Sequence, residues 1–224
     1  MTEEPAVYFV KKDKRKTDYS LYLVTDRSIC PPDQFLNRIE QAVEGGVTIV
    51  QLREKDASSL DFYNYAVEVS SLLKKMRSVS GRKVPFLIND RLDIALAVDC
   101  DGVHVGQDDL PVAVCKRLLG PGKILGVSVG TVEEALLAER DGADYLGVVA
   151  FQTGTKPEAS SVSLDVFREI KAAVSIPIVA IGGINLETLP LLSGLEIDGV
   201  AVVSAIMGEE DAKGAAEKLN ELII

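Results

Sequence analysis

Asp101-Gly102-Val103-His104-Val105-Gly106-Gln107-Asp108-Asp109 holds one structural unit in nine residues. An Asp-Gly turn leads in, a short apolar run follows, and a polar cluster leads out. Such a run, bounded by turn signals, fits a strand buried on both faces. The pattern recurs on either side of it. Apolar runs stand at Leu21–Thr25, Val47–Leu52, Pro85–Ile88, Gly102–Val105, Ile124–Val129, Tyr145–Phe151, Ile176–Ile181 and Val200–Ser204. Amphipathic segments lie between them. Phe62, Ala66, Val69, Leu73 and Met76 recur at helical spacing, and Thr131 with Glu134 has capping-box spacing. Eight strands and eight intervening or terminal helices predict an α/β fold, a (β/α)₈ TIM barrel in one domain over residues 20–224. An open doubly wound sheet usually has fewer strands. Its Gly-rich fingerprint is also missing after the first strand, where Thr25-Asp26-Arg27 stands.

The 224 residues carry 24 Lys and Arg against 34 Asp and Glu, a formal net charge of −10. That surface argues against nucleic acid or an anionic membrane as partner. If the substrates are anions, the cations that attract them must cluster in the site, since charges are screened beyond about 8 Å at physiological salt. Cys30, Cys100 and Cys115 are odd in number and lack metal or redox spacing, which fits structural thiols in a reducing, cytoplasmic setting. No apolar stretch is long enough to span a membrane. Residues 1–19 form a charged leader with Lys11, Lys12, Lys14, Arg15 and Lys16; lacking an apolar h-region after the cations, it is not a secretory signal.

In such a barrel, chemistry is assembled where strands run out into the following loops. The second exit reads Gln51-Leu52-Arg53-Glu54-Lys55. In extended backbone Gln51, Arg53 and Lys55 point one way, Leu52 and Glu54 the other. An amide and two cations on one side suit a hydrogen-bonding ring that carries phosphate; a surface ion-pair cluster is the competing reading. The third exit reads Asn89-Asp90-Arg91 and the fourth Gly106-Gln107-Asp108-Asp109. Asp90 and Asp109 on neighbouring exits could share a hard cation such as Mg²⁺, or each could cap the helix that follows it. Ser128 on the fifth strand could bond a phosphate or a ring. The later exits carry Thr153-Gly154-Thr155-Lys156, Gly182-Gly183 and Val203-Ser204, small or hydroxylated residues of the kind that admit phosphate oxygens to backbone N–H groups. His104 is the only histidine, which disfavours a Ser-His triad or a zinc site and reads as a packed core residue. The Gly and Asp-Gly turns before strands two, four, six and eight lie on the stability face.

Taken together, the exits resemble the thiamine-phosphate synthase family over about residues 20–224. The shared motifs are Tyr22-Leu23-Val24-Thr25-Asp26, Gln51 through Lys55, Asn89-Asp90-Arg91, residues 101–109, Gly126-Val127-Ser128, Thr153-Gly154-Thr155-Lys156 and Gly182-Gly183-Ile184. The resemblance implies a transferase with two small phosphorylated heterocyclic substrates. It would join an aminopyrimidine methyl diphosphate to a thiazole phosphate, releasing diphosphate and forming thiamine phosphate. Carried over by position, Gln51, Leu52, Arg53, Glu54 and Lys55 would hold the pyrimidine diphosphate with Asn89 and Lys156. Ser128 would contact the pyrimidine. Asp90 and Asp109 would bind Mg²⁺, and Thr153, Thr155, Gly183, Val203 and Ser204 would hold the thiazole phosphate. Arg53, Lys55 and Lys156 are the expected catalytic cations, and no acid–base dyad is required, because the attacking thiazole nitrogen has a free lone pair. The chain departs from the family pattern at Phe151-Gln152-Thr153, where Pro usually stands at the middle position. Two alternatives remain: a thiazole tautomerase-like isomerase of similar fold, and a non-catalytic domain that binds thiamine phosphate. A homo-oligomer is compatible with the sequence.

Overall fold

The computed structural model describes residues 17–151 and 162–223. Eight strands, β1 (Leu21–Val24), β2 (Ile49–Leu52), β3 (Phe86–Asn89), β4 (Gly102–Val105), β5 (Ile124–Val129), β6 (Tyr145–Val149), β7 (Ile178–Ile181) and β8 (Gly199–Val202), close into a barrel in sequence order. Every neighbouring pair is parallel, β8 with β1 included. The expected barrel is therefore the observed one.

Strand alternation sorts the side chains into two cores. Tyr22, Val24, Ile49, Leu87, Tyr145, Val179 and Ala201 fill the lumen. Leu21, Leu23, Val50, Leu52, Ile88, Val103 and Leu125 face the helical shell. The helices are α1 (Phe35–Glu44), α2 (Ser59–Ser80), α3 (Leu92–Ala97), α4 (Val112–Leu119), α5 (Val132–Arg140), α6 (Leu164–Ala173), α7 (Ser204–Met207) and α8 (Ala212–Glu221). In α2, Phe62, Ala66, Val69 and Leu73 are buried, as their spacing requires. Thr131 accepts from the Glu134 N–H at 3.1 Å, but Glu134 reaches back to the N–H of Gly130 at 2.7 Å rather than to Thr131.

The expected helix between β7 and β8 is absent. A 3₁₀ turn at Leu189–Leu192 stands there, with Pro190 in its first positions. Asn185 starts this short connection by accepting from the N–H groups of Glu187 and Thr188, a local pairing that competes with helix.

The base of the barrel is fastened in a repeating way. Asp101, Asp144 and Asp198, each just before an even-numbered strand, accept from the N–H of Phe86 (2.9 Å), Leu125 (2.8 Å) and Ile178 (2.9 Å) on the preceding odd-numbered strand. Lys83, Lys116 and Lys171 pair with the same three carboxylates at 2.6, 2.7 and 2.8 Å. For β1 and β2 the neutral Thr48 does this work, accepting from Leu21 N–H at 3.2 Å and donating to its carbonyl at 3.0 Å. Three of the turns read from sequence as stability chemistry thus hold clasps and Thr48 supplies a fourth, each tying an odd strand to the next.

Candidate active site

Across the lumen, from Tyr145 at the start of β6 to Gln51, His104 and Ser128 in the C-terminal halves of β2, β4 and β5, five buried or half-buried polar groups form an unbroken chain. Gln51 Nε2 donates to Tyr22 Oη at 2.6 Å, and Tyr22 Oη lies 2.9 Å from Tyr145 Oη. Tyr145 Oη lies 2.8 Å from His104 Nδ1, and His104 Nε2 lies 2.8 Å from Ser128 Oγ. Burial pushes both phenols well above the ordinary tyrosine range, so both remain protonated donors. Two glycines make the space. A Cβ on Gly126 would stand 2.2 Å from Tyr145 Cζ, and one on Gly147 would stand 3.0 Å from His104 Cε1. His104 is buried as expected, yet it links Tyr145 to Ser128 in a polar chain rather than serving as inert packing. Tyr22 and Tyr145 carry no role in the sequence reading, because within Val- and Leu-rich runs they count as apolar. Their shared inward parity with Gln51, His104 and Ser128, with Gly126 in register with His104 and Tyr145 and Gly147 with Ser128, was the available signal.

The rim above the lumen is charged. Arg53 approaches Asp26 at 3.5 Å, and Lys55 Nζ bonds Asp90 at 2.6 Å across the exits of β2 and β3. Asp26 also caps the turn after β1, accepting from the N–H of Ser28 at 2.9 Å. Arg27 is stacked between Phe35 and Tyr65, at 4.4 and 3.9 Å from the ring centres, and its Nε lies 3.9 Å from Glu54 Oε1. That oxygen is buried without a hydrogen bond, and burial raises the Glu54 carboxyl from its ordinary 4.5 to about 7; Arg27 opposes the shift and Asp26 adds to it. A cavity of about 690 Å³ opens among these residues, lined by Asp26, Arg53, Lys55, Ser58, Asp61 and Tyr65. Its size is that of a small-ligand site.

Neither aspartate caps a helix. The residue preceding α3 is Arg91 and that preceding α4 is Pro111, and neither helix start has a side-chain cap. Asp90 instead holds a left-handed backbone, φ 61°, at which its carboxylate meets Lys55. A non-glycine residue there is strained, a trait common at functional sites. Asp109 turns back to accept from Gly106 N–H at 2.7 Å. Burial raises its carboxyl, the charge of Asp90 raises it further, and the Gly106 N–H opposes both. Two facing carboxylates on adjacent exits form an oxygen-only donor pair, which fits Mg²⁺, an ion that keeps several waters or phosphate oxygens. Among the described residues no group of three or more His, Cys, Asp or Glu gathers in this way.

Asn89 ends β3 beside His104 in register. Leu52 corrects the sequence expectation: its side chain is fully buried in the shell, since neighbours of an inward-facing residue point outward. Arg91 is held aside by Asp93 (2.6 Å) and Ser59 (2.9 Å). Gly182 and Gly183 take left-handed φ of 92° and 60°, which a Cβ would resist. Val203 stands at the top of the lumen and Ser204 opens α7. Gln152, Thr153, Thr155 and Lys156 lie outside the described residues. Among the described residues no helix is long and apolar enough to cross a membrane.

Known proteins resemble the chain over most of its length. A family model described as thiamine monophosphate synthase matches residues 21–206. The thiamine-phosphate synthase of Clostridium beijerinckii is 53% identical over 212 residues, covering 94% of this chain and 99% of its own. That of Ruminiclostridium cellulolyticum is 51% identical, covering 94% and 98%. The solved thiamine phosphate pyrophosphorylase of Pyrococcus furiosus superposes with a TM-score of 0.79 at 39% identity, covering 92% of this chain and 96% of that one.

Proposed function

The chain belongs to the thiamine monophosphate synthase family of enzymes, and from that premise we propose that it joins a 4-aminopyrimidine methyl diphosphate to a thiazole phosphate with displacement of diphosphate. The observation that carries this reading is the stacking of two unlike environments at one exit. Gln51 ends a neutral chain that suits a heterocycle, while Arg53 and Lys55, just beyond it, suit the polyanion attached to that ring.

Gln51 and Ser128 hold the ring edge, and Asn89 lies beside them. Arg53, Lys55 and Lys156 stabilise negative charge that grows on the leaving diphosphate as the C–O bond lengthens. The electron-rich ring bears the positive charge left on its methylene carbon, until the thiazole nitrogen closes the new C–N bond. That lone pair needs no base. Asp90 and Asp109 would hold Mg²⁺, which when bound neutralises diphosphate oxygens. Thr153, Thr155, Gly183, Val203 and Ser204 hold the thiazole phosphate through hydroxyls and backbone N–H groups. Small anionic substrates and the acidic surface fit a cytoplasmic enzyme with no nucleic acid or membrane partner.

The test is incubation with both substrates, with and without Mg²⁺, followed by mass detection of the product. Thiamine phosphate and diphosphate formed in equal amounts only with Mg²⁺ is the expected result. Isomerisation of the thiazole with no condensation would sink the proposal, and equal turnover in chelator would sink the metal assignment.

A further inference from the structure

The lumen chain has a direction. Gln51 presents its carboxamide nitrogen to Tyr22, so the Tyr22 oxygen accepts there and its own proton goes to Tyr145, 2.9 Å away. Tyr145 must then donate onward to His104 Nδ1, 2.8 Å away. A neutral imidazole that accepts at Nδ1 carries its proton on Nε2, and that N–H donates to Ser128 Oγ at 2.8 Å. At one end the Gln51 carbonyl is left to accept, and at the other the Ser128 hydroxyl proton is left to donate. Turning the Gln51 amide over would reverse every bond and exchange both offers. The two ends therefore cannot change independently.

We propose that Tyr22 and Tyr145 are positioning residues that lock the donor–acceptor polarity of Gln51 and Ser128 in one sense, making the lumen selective for an amino over an oxo pyrimidine. A 4-aminopyrimidine set between the two ends shows an N–H donor at its amino group and acceptors at its ring nitrogens, the complement of a carbonyl on one side and a hydroxyl proton on the other. The 4-oxo ring in its lactam form puts a carbonyl acceptor in place of the amino donor and an N–H on a ring nitrogen. Binding it would leave two buried groups unsatisfied or force the whole chain to invert. Gly126 and Gly147, which leave room for the Tyr145 and His104 rings, belong to the same device. The selectivity part rests on the substrate proposed above; the direction of the chain does not.

Because His104 is the sole histidine, ¹⁵N-histidine NMR reads one residue without assignment. The free enzyme should show the Nε2–H tautomer, and Tyr145→Phe should show a mixture of both. Steady-state kinetics with the 4-amino and 4-oxo pyrimidine diphosphates should show discrimination that narrows about tenfold or more in Tyr22→Phe and Tyr145→Phe. The change should fall on the pyrimidine KM, with the thiazole KM unmoved. Tyr22→Phe decides the matter if Tyr145→Phe does not fold. An Nδ1–H tautomer in the native enzyme, or discrimination unchanged in both variants, overturns the proposal. If neither pyrimidine is turned over, the substrate reading fails by itself. The tautomer then decides the chain, and a pure Nε2–H signal persisting in Tyr145→Phe refutes it.

Discussion

Gln51 and Arg53 leave the same strand two residues apart, yet they serve regions built on opposite principles. In the lumen the polar groups include no carboxylate, ammonium or guanidinium, and each is joined to the next by a short hydrogen bond. On the rim they are charged, partly exposed, and paired across loops, Arg53 with Asp26 and Lys55 with Asp90. A dry chain of hydrogen bonds discriminates by pattern, because one reversed bond strands a buried group. A wet ring of charges discriminates by total charge and yields its partners readily, since exposed ion pairs contribute little by themselves. Those rim pairs can exchange a carboxylate for an incoming phosphate, whereas the lumen has nothing to exchange.

The largest effects should come from the rim. Arg53→Ala, Asp90→Asn and Asp109→Asn should each lower turnover by about a hundredfold to a thousandfold, the usual loss when one charge-stabilising group is removed. Circular dichroism should stay native, because neither aspartate caps a helix. Wild-type rates in both aspartate variants would remove the metal from the rim and dissolve the contrast.

Next comes the lumen, where stability should suffer. Gly126→Ala puts a Cβ into the Tyr145 ring, with strand backbone on either side. Overpacking of this kind costs about 1–3 kcal/mol. A thermal melt should fall by roughly 3–10 °C, and an unchanged melt would mean that the ring is not held in place.

Glu54 sharpens the comparison from the rim side, as a carboxyl that is buried but unsatisfied. Its folded value near 7 lies above its ordinary 4.5, so the fold favours the protonated form. Its contribution is complete below about pH 4.5 and is lost as pH rises through about 7. Glu54→Gln should remove that slope and be the more stable protein above pH 7, by about 1 kcal/mol once solvent screening at the rim is allowed for. Denaturant melts at pH 5 and pH 8 check this. A steeper slope in the variant would refute the assignment.

The smallest effect is ionic. Raising salt should increase the pyrimidine diphosphate KM a few-fold in the native enzyme and in Tyr22→Phe alike, but less in Lys55→Ala. Equal slopes in all three would mean that Lys55 does not meet the anion.

The strands and their closure were legible because parallel strands buried on both faces must be short and apolar, and little else in this sequence is. The order of polar residues at the exits was legible for the same reason, since each begins where an apolar run stops. Pairings were not. Spacing cannot tell whether Asp90 turns to the helix after it or to Lys55 across a loop, and the left-handed backbone that decides it leaves no mark in sequence. Leu52 sits between Gln51 and Arg53 in sequence and behind them in space. The two phenols were hidden by their own hydrophobicity, and the missing helix before β8 by a connection that looks helical in length but is governed by Asn185 and Pro190.

The four clasps at the base also divide the barrel dynamically. Each ties an odd strand to the following even one; the β2–β3 and β4–β5 seams between these pairs are tied instead by Arg82, which donates to the carbonyls of Val43, Gly46 and Val47, and by Lys123, which bonds Asp99 and the Cys100 carbonyl. Local unfolding follows the least-supported boundaries, so native-state amide exchange should show the two strands of each clasped odd–even pair losing protection together. The Lys55–Asp90 ion pair crosses the first of these seams at its upper end. An anion that draws Lys55 away loosens the barrel along that line, and occupancy at the rim becomes readable as deuterium uptake between β2 and β3.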